Sequence, residues 1–221
     1  MEKKMLSQAV QDYLKAIFKL ETGGLVSTTE IAKEMNVSGA SVTGMLKRLS
    51  SMNLVEYNSY KGVKLTKTGE KISLEIIRHH RLLELYLKEI MGFPLDKVHD
   101  EACRLEHYIS DEFGDKIDKM LGSPTFDPHG HPIPSKDGQL PESKEIQLTE
   151  AIGGNKVIIK RLSDEDKKLL AYLEERNLIP GIELSVIEKA PFNGPITALK
   201  DGKSEIIGHE IAKKIFVEIV G

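Results

Sequence analysis

The chain has 221 residues, 29% of them charged and 40% hydrophobic, which suits a globular protein of one to three small domains. Its single cysteine excludes an internal disulfide framework and fits a reducing compartment. No apolar run approaches the ~20 residues of a membrane helix, and the Met1–Met5 start is basic with no apolar stretch behind it, so the reading is a cytoplasmic protein with no signal peptide and no membrane partner.

Net charge is −3, unevenly spread. Residues 1–72 carry 11 Lys/Arg against 7 Asp/Glu, a net of +4, and the remainder carries 20 against 27, a net of −7. A mildly basic N-terminal piece before an acidic remainder is the pattern of a DNA-binding domain joined to a sensor.

In chain order, Val10, Leu14, Ile17, Phe18 and Leu20 recur at helical spacing, and Thr22-Gly23-Gly24 closes that helix. Ser27-Thr28-Thr29-Glu30 is a capping box that opens a short helix through Met35. Asn36-Val37-Ser38-Gly39 reads as a turn, with Ser38 capping a second helix that carries Val42, Met45, Leu46, Leu49 and Met52. Two strands, Leu54–Tyr57 and Val63–Thr66, follow around Asn58–Gly62. The series predicts a winged helix-turn-helix. A long helix from Gly69 to about Met91 comes next, broken by Gly92-Phe93-Pro94, then a helix over roughly Asp96–Phe113 and a short one with Ile117, Met120 and Leu121. Residues 122–143 read as a Pro/Gly-rich linker with little regular structure. Beyond Ile146 strands are predicted at 157–161, 182–187, 195–199 and 215–219, with a helix over Asp164–Arg176 opened by Ser163-x-x-Asp166.

The fold class is therefore mainly α with a C-terminal β domain. The domains are read as a winged helix-turn-helix over 1–72, a helical domain with its linker over 73–145, and an SH3-like barrel over 146–221.

The N-terminal residues of the second helix of a helix-turn-helix meet base edges. Here Ser38, Ala40, Ser41 and Thr43 take those places, with small side chains and hydroxyls suited to the major groove. Lys47, Arg48, Lys61 and Lys64 are placed for phosphates. The alternative is a small helical bundle whose polar face is only solvated.

Three groups of ligand-type residues follow. Cys103, Glu106 and His107 sit at i, i+3 and i+4 and so share one face of the helix read over Asp96–Phe113, a mixed set for a divalent transition metal. His80 and Glu84 sit at i and i+4 on the preceding helix, with His99 one turn before Cys103. Asp127, His129 and Asp164 lie in the linker and barrel. Each has a plainer reading. A lone cysteine is often a buried small hydrophobe, His80 with Glu84 is also a surface ion pair, Asp12 a solvated charge, and His129 and His131 ordinary loop residues.

These residues carry a resemblance. His80-Arg81-Leu82-x-Glu84, the block Val98-His99-Asp100-Glu101-Ala102-Cys103-Arg104-x-Glu106-His107, and Leu65-Thr66-x-Thr68-Gly69 closely resemble the diphtheria toxin repressor family of metal-dependent transcriptional repressors, over nearly the whole chain. The resemblance implies a homodimer formed through the helical domain, two metal ions per subunit and double-stranded operator DNA as partner. The activating site it implies is Cys103, Glu106 and His107 with a first-helix side chain, here Asp12. The second is His80, Glu84 and His99 completed from the barrel. In a variant, Asp127-Pro128-His129 stands where manganese- and zinc-responsive members have Cys-Pro-His, with Asp164 later and Glu165 and Asp166 as further candidates. His99 and His129 stay open as the main partner of Glu84.

The thiol leans to Fe(II), or to Zn(II), and Asp12 to Mn(II); Fe(II) is the first expectation and Mn(II) the second. The function implied is a metal-activated repressor in metal homeostasis, not an enzyme. A manganese- or zinc-responsive regulator of the same architecture is the near alternative. More distant readings are a redox switch at Cys103, a regulator with an organic effector, and a metalloenzyme, for which no His-Glu-x-x-His motif is present.

Overall fold

A computed structural model describes residues 6–21 and 23–221. Thr22 and Met1–Met5, on which the helix closure and the absence of a leader were argued, lie outside the described residues. The chain divides into two compact units. The first is built from residues up to 80 with 105–110 and 134–139, and the second from 81–104, 111–133 and 140–221.

The first unit opens with α1 (Gln8–Leu20), which buries Val10, Leu14 and Ile17, with Tyr13 and Ala16 beside them. The capping box forms at α2 (Thr28–Glu34): the Glu30 amide donates to Ser27 Oγ, and the Ser27 amide donates to the Glu30 carboxylate. Such a cap contributes about 1 kcal/mol. In α3 (Gly39–Ser51) Val42, Leu46 and Leu49 recur at i, i+4 and i+7 and are fully buried. β1 (Val55–Asn58) and β2 (Gly62–Leu65) pair antiparallel from Val55↔Leu65 to Asn58↔Gly62. Gly62 is required there. Its φ is +119°, and a Cβ would stand 2.6 Å from the Val26 carbonyl oxygen, because Val26 and Val63 exchange backbone hydrogen bonds. These elements share one core that joins Leu14, Ile17, Ile31, Leu46 and Val63. α4 (Lys67–Glu89) then runs unbroken for 23 residues.

The helix expected over Asp96–Phe113 is two helices, α5 (Val98–Leu105) and α6 (Asp111–Met120), with a turn at 106–108. Asp111 and Glu112 fall in the first turn of α6, where the helix dipole favours carboxylates, so a new start there competes with continuation.

In the second unit, β3 (Ile146–Gln147), β4 (Lys156–Leu162), β5 (Glu183–Lys189), β6 (Ile196–Lys200), β7 (Lys203–Ile207) and β8 (Ile215–Ile219) form one antiparallel sheet in the order β3-β8-β4-β5-β6-β7. This is the SH3-like sheet expected. β7 was not expected, since it is an edge strand whose residues are mostly exposed and polar. α7 (Lys167–Glu175) packs Leu170 and Leu173 into the sheet's core with Val157, Ile159 and Val217. Its cap is Asp166, which accepts from the Lys168 and Leu169 amides, and not Ser163. α8 (His209–Ala212) is a single turn before β8.

Candidate metal centres

The first unit gathers Asp12, Glu106 and His107, with one ligand-type atom from each inside a 4.8 Å cluster. Asp12 comes from α1, and Glu106 and His107 from the turn that ends α5. His107 Nε2 lies 3.0 Å from Asp12 Oδ1 and 3.4 Å from Glu106 Oε1. The other ring nitrogen is committed. Gln11 Nε2 donates to the Leu6 carbonyl, so Gln11 Oε1 accepts from His107 Nδ1 at 2.8 Å. That hydrogen bond holds Nδ1 as a donor and points Nε2 at the carboxylates, where it can give a proton to Asp12 or a lone pair to a metal. On its other flank Glu106 meets His80 Nδ1 at 2.5 Å and Lys15 Nζ at 2.8 Å.

Burial pushes the Glu106 carboxyl up, but the hydrogen bond from His80 and the charges of His80 and Lys15 outweigh it and hold the group below the usual glutamate range. Burial raises Asp12, and the His107 charge only partly offsets it.

The expectation that Cys103 shares a helical face with Glu106 and His107 is not met. α5 ends at Leu105, and the turn breaks the i, i+3, i+4 relation. Cys103 Sγ lies 3.6 Å from His99 Nε2 on α5 instead. His80, expected beside Glu84, turns its Nδ1 to Glu106.

The second unit holds another cluster, Asp127, His129 and His131, again within 4.8 Å. Asp127 Oδ1 accepts from the His129 and His131 amides, so the turn folds around its own carboxylate. Gly130 lets the turn lie on β4. Its φ is +94°, a Cβ would meet the Lys160 carbonyl oxygen at 1.9 Å, and the Leu162 amide donates to the His129 carbonyl. Glu84 reaches both candidate partners, with Oε1 3.0 Å from His99 Nδ1 and Oε2 3.7 Å from His129 Nδ1. Both histidines stand near Glu84, His99 at hydrogen-bond distance and His129 just beyond it.

Burial lowers His129, but Glu84, Asp127 and Asp164 more than compensate and raise it above its ordinary value. Burial raises Asp164, and His131, His129 and His99 bring it below the usual range. Asp127 Oδ2 and His129 Nδ1 are buried and make no hydrogen bond. A carboxylate oxygen 3.3 Å from His131 Nδ1 and a ring nitrogen 3.7 Å from Glu84 Oε2, both without a hydrogen bond, fit lone pairs directed at a divalent cation. Glu165 and Asp166 serve other purposes: Glu165 pairs with Lys214 at 2.7 Å, and Asp166 caps α7.

Among the residues assigned to DNA, Ser38, Ala40, Ser41, Lys47, Arg48, Lys61 and Lys64 are exposed and Thr43 is half-buried. Ser38 Oγ accepts from the Ser41 amide as the α3 cap, and Thr43 donates its hydroxyl to the Gly39 carbonyl, so both side chains already serve the helix. Lys64 pairs with Glu56 at 2.9 Å. The hairpin tip presents Tyr60, 98% exposed, which periodicity did not single out.

Residues 5–63 match the model of the iron-dependent repressor N-terminal DNA-binding domain, and residues 66–135 that of the iron-dependent repressor metal-binding and dimerisation domain. This chain belongs to the iron-dependent repressor family. Residues 146–219 match a FeoA domain. The chain is 28% identical to the iron-dependent repressor IdeR of Mycobacterium leprae and 29% identical to the diphtheria toxin repressor of Corynebacterium diphtheriae, each over 97% of this chain and 99% of the relative. Among solved structures it resembles a manganese-dependent transcriptional repressor in complex with manganese, with 35% identity, TM-score 0.87, and 96% and 100% of the two chains covered. The manganese regulator SloR is also similar, at 34% identity, TM-score 0.71, and 96% and 98% coverage.

Family members are metal-dependent transcriptional repressors, and this chain has their three-part architecture. Asp12 falls within the DNA-binding match, while Glu84, His99, Cys103, Glu106, His107, Asp127 and His129 fall within the metal-binding and dimerisation match. Gln11 and Lys15 are not singled out by the sequence, and His131, read there as an ordinary loop residue, lies in the second cluster. The available signals were Lys15 at i+3 from Asp12 on one helix face, and the dense Asp127-Pro128-His129-Gly130-His131 run.

Proposed function

We propose that this chain binds operator DNA as a homodimer when its first unit carries a divalent metal at Asp12, Glu106 and His107. The observation behind this is the 3.0 Å approach of His107 to Asp12, which joins the first helix of the DNA-binding region to the turn leaving α5. A divalent ion bound there supplies the positive charge that lets two carboxylates and an imidazole converge. Without that charge Asp12 is buried beside Glu106 with only His107 and Lys15 to offset it, so the tie between α1 and the turn is weaker. Fixing α1 fixes α3, because both pack in one core, and so fixes the spacing of the two recognition helices in a dimer.

The donor set is two carboxylates and one imidazole, which suits Mn(II). This reverses the order expected from the cysteine, and likeness to a manganese-dependent repressor supports it. Fe(II) is the second reading, favoured by the thiol of Cys103 beside His99. A second ion per subunit belongs to Asp127 and His129 with Glu84, His99, His131 and Asp164. The dimer face is assigned to α6, where Phe113 (49% exposed) and Met120 (62%) stand seven residues apart on one side. DNA contacts are assigned to Ala40, Ser41, Lys47, Arg48 and Lys61, with Ser38, Thr43 and Lys64 at the margin. The test is DNA binding to the protein's own promoter by apo-protein and by protein loaded anaerobically with Mn(II), Fe(II) or Zn(II). Binding that requires metal supports the account, and equal binding by the apo-protein removes it.

A further inference from the structure

Glu106 is the most enclosed carboxylate of the first centre, its side chain 1% exposed, yet it is not waiting for a cation. Lys15 Nζ contacts both of its oxygens, at 3.0 and 2.8 Å, and stands 3.1 Å from His80 Nδ1. The lysine side chain is 23% exposed, so its ammonium is drawn inward from the surface of α1. Lys15 lies three residues after Asp12, on the same face of the same helix. One helix thus brings both a metal-ligating carboxylate and a positive charge to the same glutamate.

A carboxylate has only a few lone-pair directions, and each one an ammonium uses is lost to a metal. A fixed positive charge within a few ångströms also repels a divalent ion in a partly buried site. We propose that Lys15 is a tethered cation that competes with the metal for Glu106 and so sets the metal concentration at which the first centre fills. In metal-free protein it neutralises Glu106 and keeps the centre folded. In loaded protein its charge opposes the ion. This rests on the reading of Asp12, Glu106 and His107 as a metal centre.

The experiment compares Mn(II) binding by calorimetry, and thermal unfolding with and without Mn(II), for wild type, Lys15→Gln, Lys15→Arg and Asp12→Ala. Glutamine, one atom shorter, keeps a hydrogen-bond donor but removes the charge. The prediction is about tenfold tighter Mn(II) binding in Lys15→Gln, a lower Tm for its metal-free form and a larger Mn(II)-induced rise in Tm. Lys15→Arg, which keeps the charge, stays near wild type. A merely structural role lowers the Tm of both forms and leaves affinity unchanged or weaker, which overturns the proposal while Asp12→Ala still weakens binding. Mn(II) affinity unchanged in Asp12→Ala instead removes the metal-centre reading, and the proposal with it.

Discussion

His107 presents Nε2 to Asp12 Oδ1 at 3.0 Å because Gln11, the residue before Asp12, holds Nδ1 at 2.8 Å. Two neighbours on α1 therefore grip the two nitrogens of one imidazole. Asp12→Ala removes a metal donor and leaves the α6 face untouched. It is expected to abolish metal-dependent DNA binding while sedimentation still reports a dimer. Wild-type operator affinity at saturating Mn(II) contradicts that role.

Gln11→Ala leaves every ligand in place but frees the His107 ring. Partners that orient a ligating imidazole typically affect metal affinity by ~10–100-fold. Mn(II) affinity should fall within that range, with little change in metal-free stability. An unchanged affinity means that the Gln11 contact does not orient the ring.

His129 gives opposite pH dependences with and without metal. Its value in the folded protein is raised above the ordinary 6.5, because Glu84, Asp127 and Asp164 outweigh the burial that lowers it. In metal-free protein the protonated ring therefore contributes stability that is fully present below pH 6.5 and lost as pH rises through the raised value. A metal needs the neutral ring, so affinity at the second centre climbs up to ~10-fold per pH unit across the same interval. Urea unfolding and Mn(II) titration at pH 6 and 8 should show opposite trends, both flattened in His129→Ala. Parallel trends contradict the assignment.

Lys47 and Arg48 lie exposed on α3. Replacing either by alanine should weaken DNA binding across sequences and reduce the salt slope by about 1. Mn(II) binding measured without DNA should not change. An unchanged salt slope removes these two as phosphate contacts.

Phe113→Asp with Met120→Lys places charges on the proposed dimer face. Sedimentation should report a shift toward monomer, with the fold retained by circular dichroism. A dimer of wild-type strength moves the interface off α6.

Periodicity was enough for the winged helix-turn-helix, since Leu14, Ile17, Leu46 and Leu49 are both regular in sequence and fully buried. It failed at Glu106, where the ligand argument assumed that a helix ran on. A break at Leu105 is invisible to a three- and four-residue spacing rule, because Glu106 and His107 find their partners on α1 and α4, far away in sequence. Asp12 came from family resemblance and not from spacing. Gln11 carries no signal beyond being polar on a helix whose other face is apolar, Lys15 carries only its place three residues after Asp12, and only folding reveals what they touch. His131 was legible in principle, since an Asp with two histidines in five residues is a chelating pattern, but in a Pro/Gly-rich stretch it read as loop. β7 was missed for its polarity, which this last strand of the sheet tolerates because its side chains are mostly exposed.

The most direct test of the account is operator binding by the full chain, anaerobically, as free Mn(II) is raised from chelated zero. The account predicts no specific binding in chelator, binding that appears with Mn(II), and loss of that response in Asp12→Ala and His107→Ala. Specific binding of equal strength with and without metal contradicts it, and makes the Asp12–Glu106–His107 centre a structural feature instead of a switch.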